Sequence, residues 1–268
     1  MVALSDFRAR IRPLGRFALD ALLPPQCLSC AELVSEPGAL CAACWGRLRF
    51  IAAPICRICG WPFEVDPSAA GDGVDPMAPP MAPPADLLCG ACLREPPRFD
   101  RARAVLIYDE ASRGLVLGFK HADRTHAAPA FARWLSRAGA DLLATADVIA
   151  PVPLHWSRLV ARRYNQAALI GNALARLAAK ESVPDLLVRH KRTPSQGHLS
   201  RAERLRNVAG AFSVRPARLP RLKGRRIVLV DDVLTTGATV NACAGVLRRA
   251  GAASVDVLAL ARVVRPEP

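Results

Sequence analysis

Eight of the chain's nine cysteines fall into four Cys-x-x-Cys pairs, Cys27/Cys30, Cys41/Cys44, Cys56/Cys59 and Cys89/Cys92, all within 66 residues. Two residues between thiolates let both sulfurs face one ion, and two such knuckles complete a tetrahedral Zn²⁺ site. One pair could be a redox motif, whereas four in so short a span point to metal. No histidine lies between Cys27 and Cys92, so the expected ligand set is four cysteines at each of two sites. Coordination is then full, and the zinc holds structure instead of doing chemistry. Sequential pairing encloses ten residues in the first site and 29 in the second; cross-bracing, first pair with third and second with fourth, is the alternative. The long gap is Pro/Ala/Gly-rich with a repeated Met-Ala-Pro-Pro, and reads as a disordered insertion at about 64–87. A ribbon can carry it because loop-closure cost grows only logarithmically with length.

Without export, disulfides between these cysteines are disfavoured. The N-terminal stretch is interrupted by Asp6, Pro13 and Asp20, so it is not read as a signal peptide, and the expected location is cytoplasmic. No apolar run approaches the ~18 residues of a membrane span, so stable membrane insertion is not expected. Phe7, Ile11, Leu14, Ala18 and Leu22 recur at helical spacing, which predicts a short docking helix and linker over 1–26.

The formal net charge of +14 is unevenly placed. Residues 1–150 hold 16 basic against 16 acidic side chains, whereas 151–268 hold 21 against 7. Two tetrathiolate zinc ions would lower the total to about +10. A basic second half suits a polyanion such as nucleic acid, or a small polyphosphate. Arginine supplies 33 of the 37 basic residues, so overall composition accounts for part of the surplus. Aromatics are only 5% of the chain, so single-strand binding would rest largely on phosphate contacts. No helix-turn-helix is evident, which argues against sequence-specific DNA reading.

After a Pro-rich hinge following Cys92, apolar runs alternate with amphipathic ones. Strands are expected in "ARAVLIY", "DVIAPVPL", "DLLVRHKR", "GAFSV", "RRIVLV" and "SVDVLALARVV". Helices are expected in "ASRGLVLGFKH", "APAFARWLSRAGADLLA", "NQAALIGNALARLAAK" and "ATVNACAGVLRRAGA", the last with a C-cap signal at Gly251. Strands alternating with helices predict an α/β fold with a parallel sheet covered on both faces.

Within that pattern, "IVLVDDVLTTGAT" sends an apolar strand into Asp231 and Asp232, then into Thr235, Thr236, Gly237, Ala238 and Thr239 at the start of a helix. Ligands of such sheets bind beyond the carboxyl ends of strands. Unpaired N–H groups and the helix dipole favour an anion there. No Gly-Lys and no Gly-x-Gly-x-x-Gly occurs, so neither a nucleotide-triphosphate loop nor a dinucleotide fingerprint is present. Two carboxylates beside an anion loop make sense if the ligand presents vicinal hydroxyls next to its phosphate. A ribose 5-phosphate derivative, accompanied by Mg²⁺, meets that requirement.

The motif closely resembles the phosphoribosyl-pyrophosphate (PRPP) motif of type I phosphoribosyltransferases. Four cysteine knuckles ahead of such a domain resemble the ComF family (competence protein F, also called ComFC or GntX-like), from about Pro24 to Val264. The resemblance implies a zinc-ribbon domain at 27–98 followed by a type I phosphoribosyltransferase domain at 99–268. It implies Asp231 and Asp232 on the ribose hydroxyls, Thr235 to Thr239 on the 5′-phosphate, and Lys120 of "FKH" near the pyrophosphate. "RRYNQ" resembles the family's Arg-Gly-Phe-Asn-Gln, which assigns Arg162, Arg163, Asn165 and Gln166 to the second substrate or DNA. Gln196, Arg204 and Asn207 match a further Gln…Leu…Arg…Asn run, which the resemblance assigns to the second substrate or DNA as well. Arg163 and Tyr164 depart from the usual glycine and phenylalanine. The family implies a role in natural transformation with single-stranded DNA and other DNA-uptake proteins. The alternatives are phosphoribosyl transfer to an unidentified acceptor, with Asp231, Asp232 and Lys120 catalytic, or a silent PRPP sensor.

Overall fold

The computed structural model describes residues 24–64, 87–121, 124–192 and 201–264, without the side chains of His121, Arg201, Ala202, Arg204 and Leu205. The expected N-terminal helix and nearly all of the insertion lie outside the described residues, as does Gln196.

Five parallel strands form the central sheet: β1 (Ala102–Ile107), β2 (Val148–Pro151), β3 (Glu181–Ser182), β6 (Arg226–Leu234) and β7 (Ser254–Arg262), in the order β1-β7-β6-β2-β3. β7 is buried along its length after Ser254, and Ile227 to Val230 of β6 form an unbroken apolar run, because both faces are covered. The helix Gln166–Leu177 packs on one face, where Gly171 brings its backbone close to Ile149 and Val230. The helix Ala238–Arg249 contributes Val240, Cys243, Ala244 and Leu247 to the other. Its chain exits through Gly251 at φ +98°, the left-handed conformation expected of that glycine.

Three expectations change in detail. "DLLVRHKR" does not enter the sheet; Leu187–Arg189 (β4) pairs antiparallel with Phe212–Val214 (β5) as a separate two-stranded ribbon. Four polar residues in succession, Arg189 to Arg192, are unsuited to a strand buried on both faces. "RRIVLV" runs on through the aspartates to Leu234, because β7 keeps pairing with it as far as Leu234↔Arg262. The long expected helix is two helices, Ala128–Ala138 and Ala140–Thr145, broken at Gly139, where an added Cβ would lie 2.2 Å from Leu258.

The cysteine-rich segment is joined to the sheet edge. Phe50 bridges Leu106 antiparallel, with Ile51 N donating to Val105 O (2.8 Å) and Ile107 N to Arg49 O (2.9 Å). Cys56, Cys59, Cys89 and Cys92 share one hydrophobic core with Phe99, Leu229, Leu234 and Val257.

Candidate active site and metal centres

The cleft begins where two neighbouring strands part. β2 pairs with β6 only as far as Pro151↔Val230, whereas β6 continues beside β7 for four more residues. A cavity of about 370 Å³ opens there. Asp231, Asp232, Thr235, Gly237, Thr239 and Lys120 line it, together with Arg158, Arg162, Asn165, Gln166 and Arg189.

Lys120 Nζ meets Asp232 Oδ2 at 2.7 Å, both side chains 18% exposed. The carboxylates also accept backbone bonds: Asp231 Oδ1 from Asp232 N (2.9 Å), and Asp232 Oδ1 from Val233 N (2.7 Å). Burial pushes the Asp231 carboxyl up to about 8, the Asp232 charge adds to it, and the bond from Asp232 N and the Lys120 charge oppose it. Asp231 keeps part of its surface open to the cleft, so solvent moderates that effect without reversing it. Gly237 caps the following helix at φ +77°, in the left-handed conformation, and lines the cavity where that helix begins. Thr236 Oγ1 accepts from Ala238 N (3.5 Å).

The opposite wall is cationic. Arg189 is buried on β4, its guanidinium 5.4 Å from the Phe212 ring. Burial first, then the Arg158 charge, pulls Arg189 below its usual range; burial, Arg162 and Arg192 do the same to Arg158. Crowded guanidinium groups favour an anionic guest.

The cysteines sort into two clusters, Cys27/Cys30/Cys41/Cys44 and Cys56/Cys59/Cys89/Cys92, with the sulfurs of each within 4.8 Å of one another. Sequential pairing therefore holds and cross-bracing does not. Bonds of about 2.3 Å in a tetrahedron place neighbouring sulfurs about 3.8 Å apart. Cys30 and Cys41 stand at 3.7 Å, Cys59 and Cys89 at 3.5 Å. Backbone N–H groups point at the ligating sulfur in both sites, Cys41 N to Cys27 (3.3 Å) and Cys89 N to Cys56 (3.4 Å). A cation lies beside each as well, Arg47 at 3.3 Å from Cys44 Sγ and the buried Arg262 at 3.5 Å from Cys59 Sγ. This donor set and its surroundings fit Zn²⁺.

The two halves match separate families, a Double zinc ribbon domain over residues 18–93 and a Phosphoribosyl transferase domain over 165–266. Competence protein F of Haemophilus influenzae is 34% identical over 179 residues, 65% of this chain and 78% of that protein. DNA utilization protein YhgH of Salmonella typhimurium is 34% identical over 238 residues, 87% of this chain and 100% of that protein. The same-named protein of Escherichia coli K12 is 32% identical over 237 residues, again covering 87% and 100%. The chain belongs to the ComF family.

The departures of this ComF chain from the family motif now have a local account. Arg163 takes φ +64° at the end of the helix Trp156–Arg162, a left-handed conformation that glycine adopts without strain. The Tyr164 hydroxyl donates to Phe119 O (3.0 Å), and Gln166 Nε2 donates to Lys120 O (3.3 Å). These two carbonyls belong to the last turn of the helix Glu110–His121, where intrahelical donors have run out. A phenylalanine could not make the first of these bonds. Asn165 caps the next helix by accepting from Ala167 N (3.0 Å), and donates to Val152 O (3.0 Å).

Arg163 and Thr236 are exposed and do not line the cavity, and Ala238 is buried, so only its backbone could serve a ligand. Arg204 and Asn207 lie on the helix Arg201–Val208. Asn207 is half-buried, its Nδ2 without a hydrogen-bond partner among the described residues. Sequence reasoning passed over Arg158 and Arg189. Arg158 stands one helical turn before Arg162 on the same face, a readable signal. Arg189 reaches the cleft only because its ribbon folds over it, for which a linear reading has no cue.

Proposed function

We propose that this ComF chain binds phosphoribosyl pyrophosphate with Mg²⁺ in the cleft and acts in the cytoplasm on DNA taken up by the cell. The observation that carries the proposal is the arrangement of Asp231 and Asp232 beside the Thr235–Thr239 turn, facing Lys120 and the arginine wall. The ribose hydroxyls donate to the carboxylates, and the 5′-phosphate takes the helix N-terminus and the threonine hydroxyls. The pyrophosphate extends toward Lys120 and the arginines.

As an enzyme the protein would break the bond between ribose C1 and the pyrophosphate oxygen, the electron pair leaving with pyrophosphate. An acceptor nucleophile forms the new bond at C1 and gives up its proton. Asp231 and Asp232 would stabilise positive charge developing on the ribose. Bound Mg²⁺ would supply neutralisation of the leaving pyrophosphate. Incubation with Mg²⁺-PRPP and candidate acceptors, single-stranded DNA included, tests the chemistry by pyrophosphate release. Release that needs an acceptor and is lost in Lys120→Ala supports transfer; binding without release with any acceptor supports a sensor.

The names of the relatives, competence protein F and DNA utilization protein, support nucleic acid as the partner. So does the helix Trp156–Arg162, which buries none of its residues; Trp156 is 69% exposed, next to Arg158 and Arg162 on the cleft wall. Trp156 offers one stacking surface beside phosphate-binding arginines. No helix among the described residues is long and apolar enough to cross a membrane.

A further inference from the structure

The first zinc cluster and the cleft both make contact with the end of the helix Glu110–His121. Leu28, inside the Cys27–Cys30 knuckle, is 2% exposed and shares a core cluster with Val116 and Phe119. Arg124, just beyond that helix, donates to both carbonyls inside the same knuckle, Leu28 O at 2.7 Å and Ser29 O at 3.3 Å. The second knuckle reaches the same place by another route. Trp45, adjacent to Cys44, packs tilted against Phe50 (4.8 Å between ring centroids); Phe50 meets Trp134 (6.0 Å), Trp134 meets Phe131 (5.5 Å), and Phe131 meets Phe119 edge-on (5.1 Å). Both knuckles therefore join the packing that holds Phe119, whose neighbour Lys120 holds Asp232 in the cleft.

We infer that the first zinc knuckle pair is a positioning device for Lys120, so that metal at Cys27, Cys30, Cys41 and Cys44 is coupled to ligand binding in the cleft. The inference rests on the phosphoribosyl reading of the cleft. A folded knuckle seats Leu28 in the core that holds Phe119 and offers the two carbonyls to Arg124; without the ion the knuckle keeps only its backbone bonds, such as Ala31 N to Cys27 O (3.1 Å), and loses its tie to Cys41 and Cys44. This is also the more accessible cluster, with Cys30 exposed and Cys41 half-exposed, whereas all four ligands of the second are buried. A chelator or thiol oxidant would reach the first site while the second still holds the core. Coupling through packed side chains is a claim about free energy, so it needs a thermodynamic cycle as its test.

The test compares wild type, Cys30→Ser, Arg124→Gln and each of these combined with Lys120→Ala. Zinc content, Mg²⁺-PRPP affinity by calorimetry, and amide exchange of residues 117–121 are measured for each. Expected for Cys30→Ser are one zinc per chain in place of two, affinity weaker by at least about fivefold, and faster exchange at the end of the Lys120 helix. Arg124→Gln should give the same losses with two zinc ions retained. Neither substitution should weaken binding further once Lys120 is alanine. Unchanged exchange in both variants, or losses that add in full to that of Lys120→Ala, would overturn the coupling. Wild type that does not bind PRPP would refute the phosphoribosyl reading, leaving amide exchange to decide the coupling.

Discussion

Burial and the neighbouring Asp232 charge hold the Asp231 carboxyl up at about 8, so at neutral pH the unliganded folded protein keeps a proton there that the unfolded chain has lost; the Mg²⁺ and ribose of the proposed complex would displace that proton and leave a carboxylate. The stability the bound proton contributes is complete below the unfolded value near 4 and is lost as pH rises through about 8. Asp231→Asn is permanently neutral and escapes that loss. In thermal unfolding at pH 8 the variant should melt at least about 2 °C above wild type, and the gap should close toward pH 4. A gap that is flat with pH, or of opposite sign, would contradict a strained carboxyl. Arg163 carries a different kind of strain, since a left-handed conformation costs a residue with a Cβ roughly 1–2 kcal/mol. Arg163→Gly relieves it, less the entropy that glycine adds to the unfolded chain, for a gain of up to about 1 kcal/mol in denaturant unfolding. Both strained positions sit in motifs that were legible as sequence. Their cause was not, because φ and burial belong to the folded neighbourhood.

Among the elements, the join between zinc ribbon and sheet makes the strongest demand on sequence. Gly60 sits at φ +69° inside the Cys56–Trp61 turn, where an added Cβ would fall 2.5 Å from Ala102 O. Gly46, in the helix Ala42–Arg47, has open space around it. Gly60→Ala should therefore lower the melting temperature by several degrees, while Gly46→Ala leaves it level or slightly raised. Equal effects would mean that the ribbon does not pack this closely on β1. The helix Trp156–Arg162 makes a complementary claim at its exposed face. Trp156→Ala should weaken single-stranded DNA binding about tenfold or more at fixed salt while leaving the slope of log affinity against log salt unchanged. Arg162→Ala should instead flatten the slope by about 0.7. No binding by wild type even at low salt would dismiss this helix as a DNA surface. Sequence periodicity was a good guide to the apolar strands and the helices flanking them. It was a poor one for β4 and β5, three residues each, which pair with one another instead of joining the sheet.

Across the whole molecule, two tetrathiolate sites brace one parallel sheet, and the cysteine spacing alone announced them. Which knuckles pair could not be read from spacing, because a long loop costs little more to close than a short one. Linear sequence likewise brought Asp231, Asp232 and the threonine turn together, being contiguous, but not Arg158 and Arg189, which join the cleft through separate elements. The cleft, in the proposal made above, reads a ribose diol beside a phosphate, and calorimetry with Mg²⁺-PRPP on wild type and on Asp231→Asn/Asp232→Asn tests this most directly. Each carboxylate acceptor is worth roughly 1.5–3 kcal/mol, and ~1.4 kcal/mol is tenfold in affinity. The double variant should bind PRPP at least about tenfold more weakly, while inorganic phosphate binding in the Thr235–Thr239 turn persists or tightens. PRPP binding as tight as wild type in the double variant would contradict the diol assignment and leave the two aspartates without a ligand role.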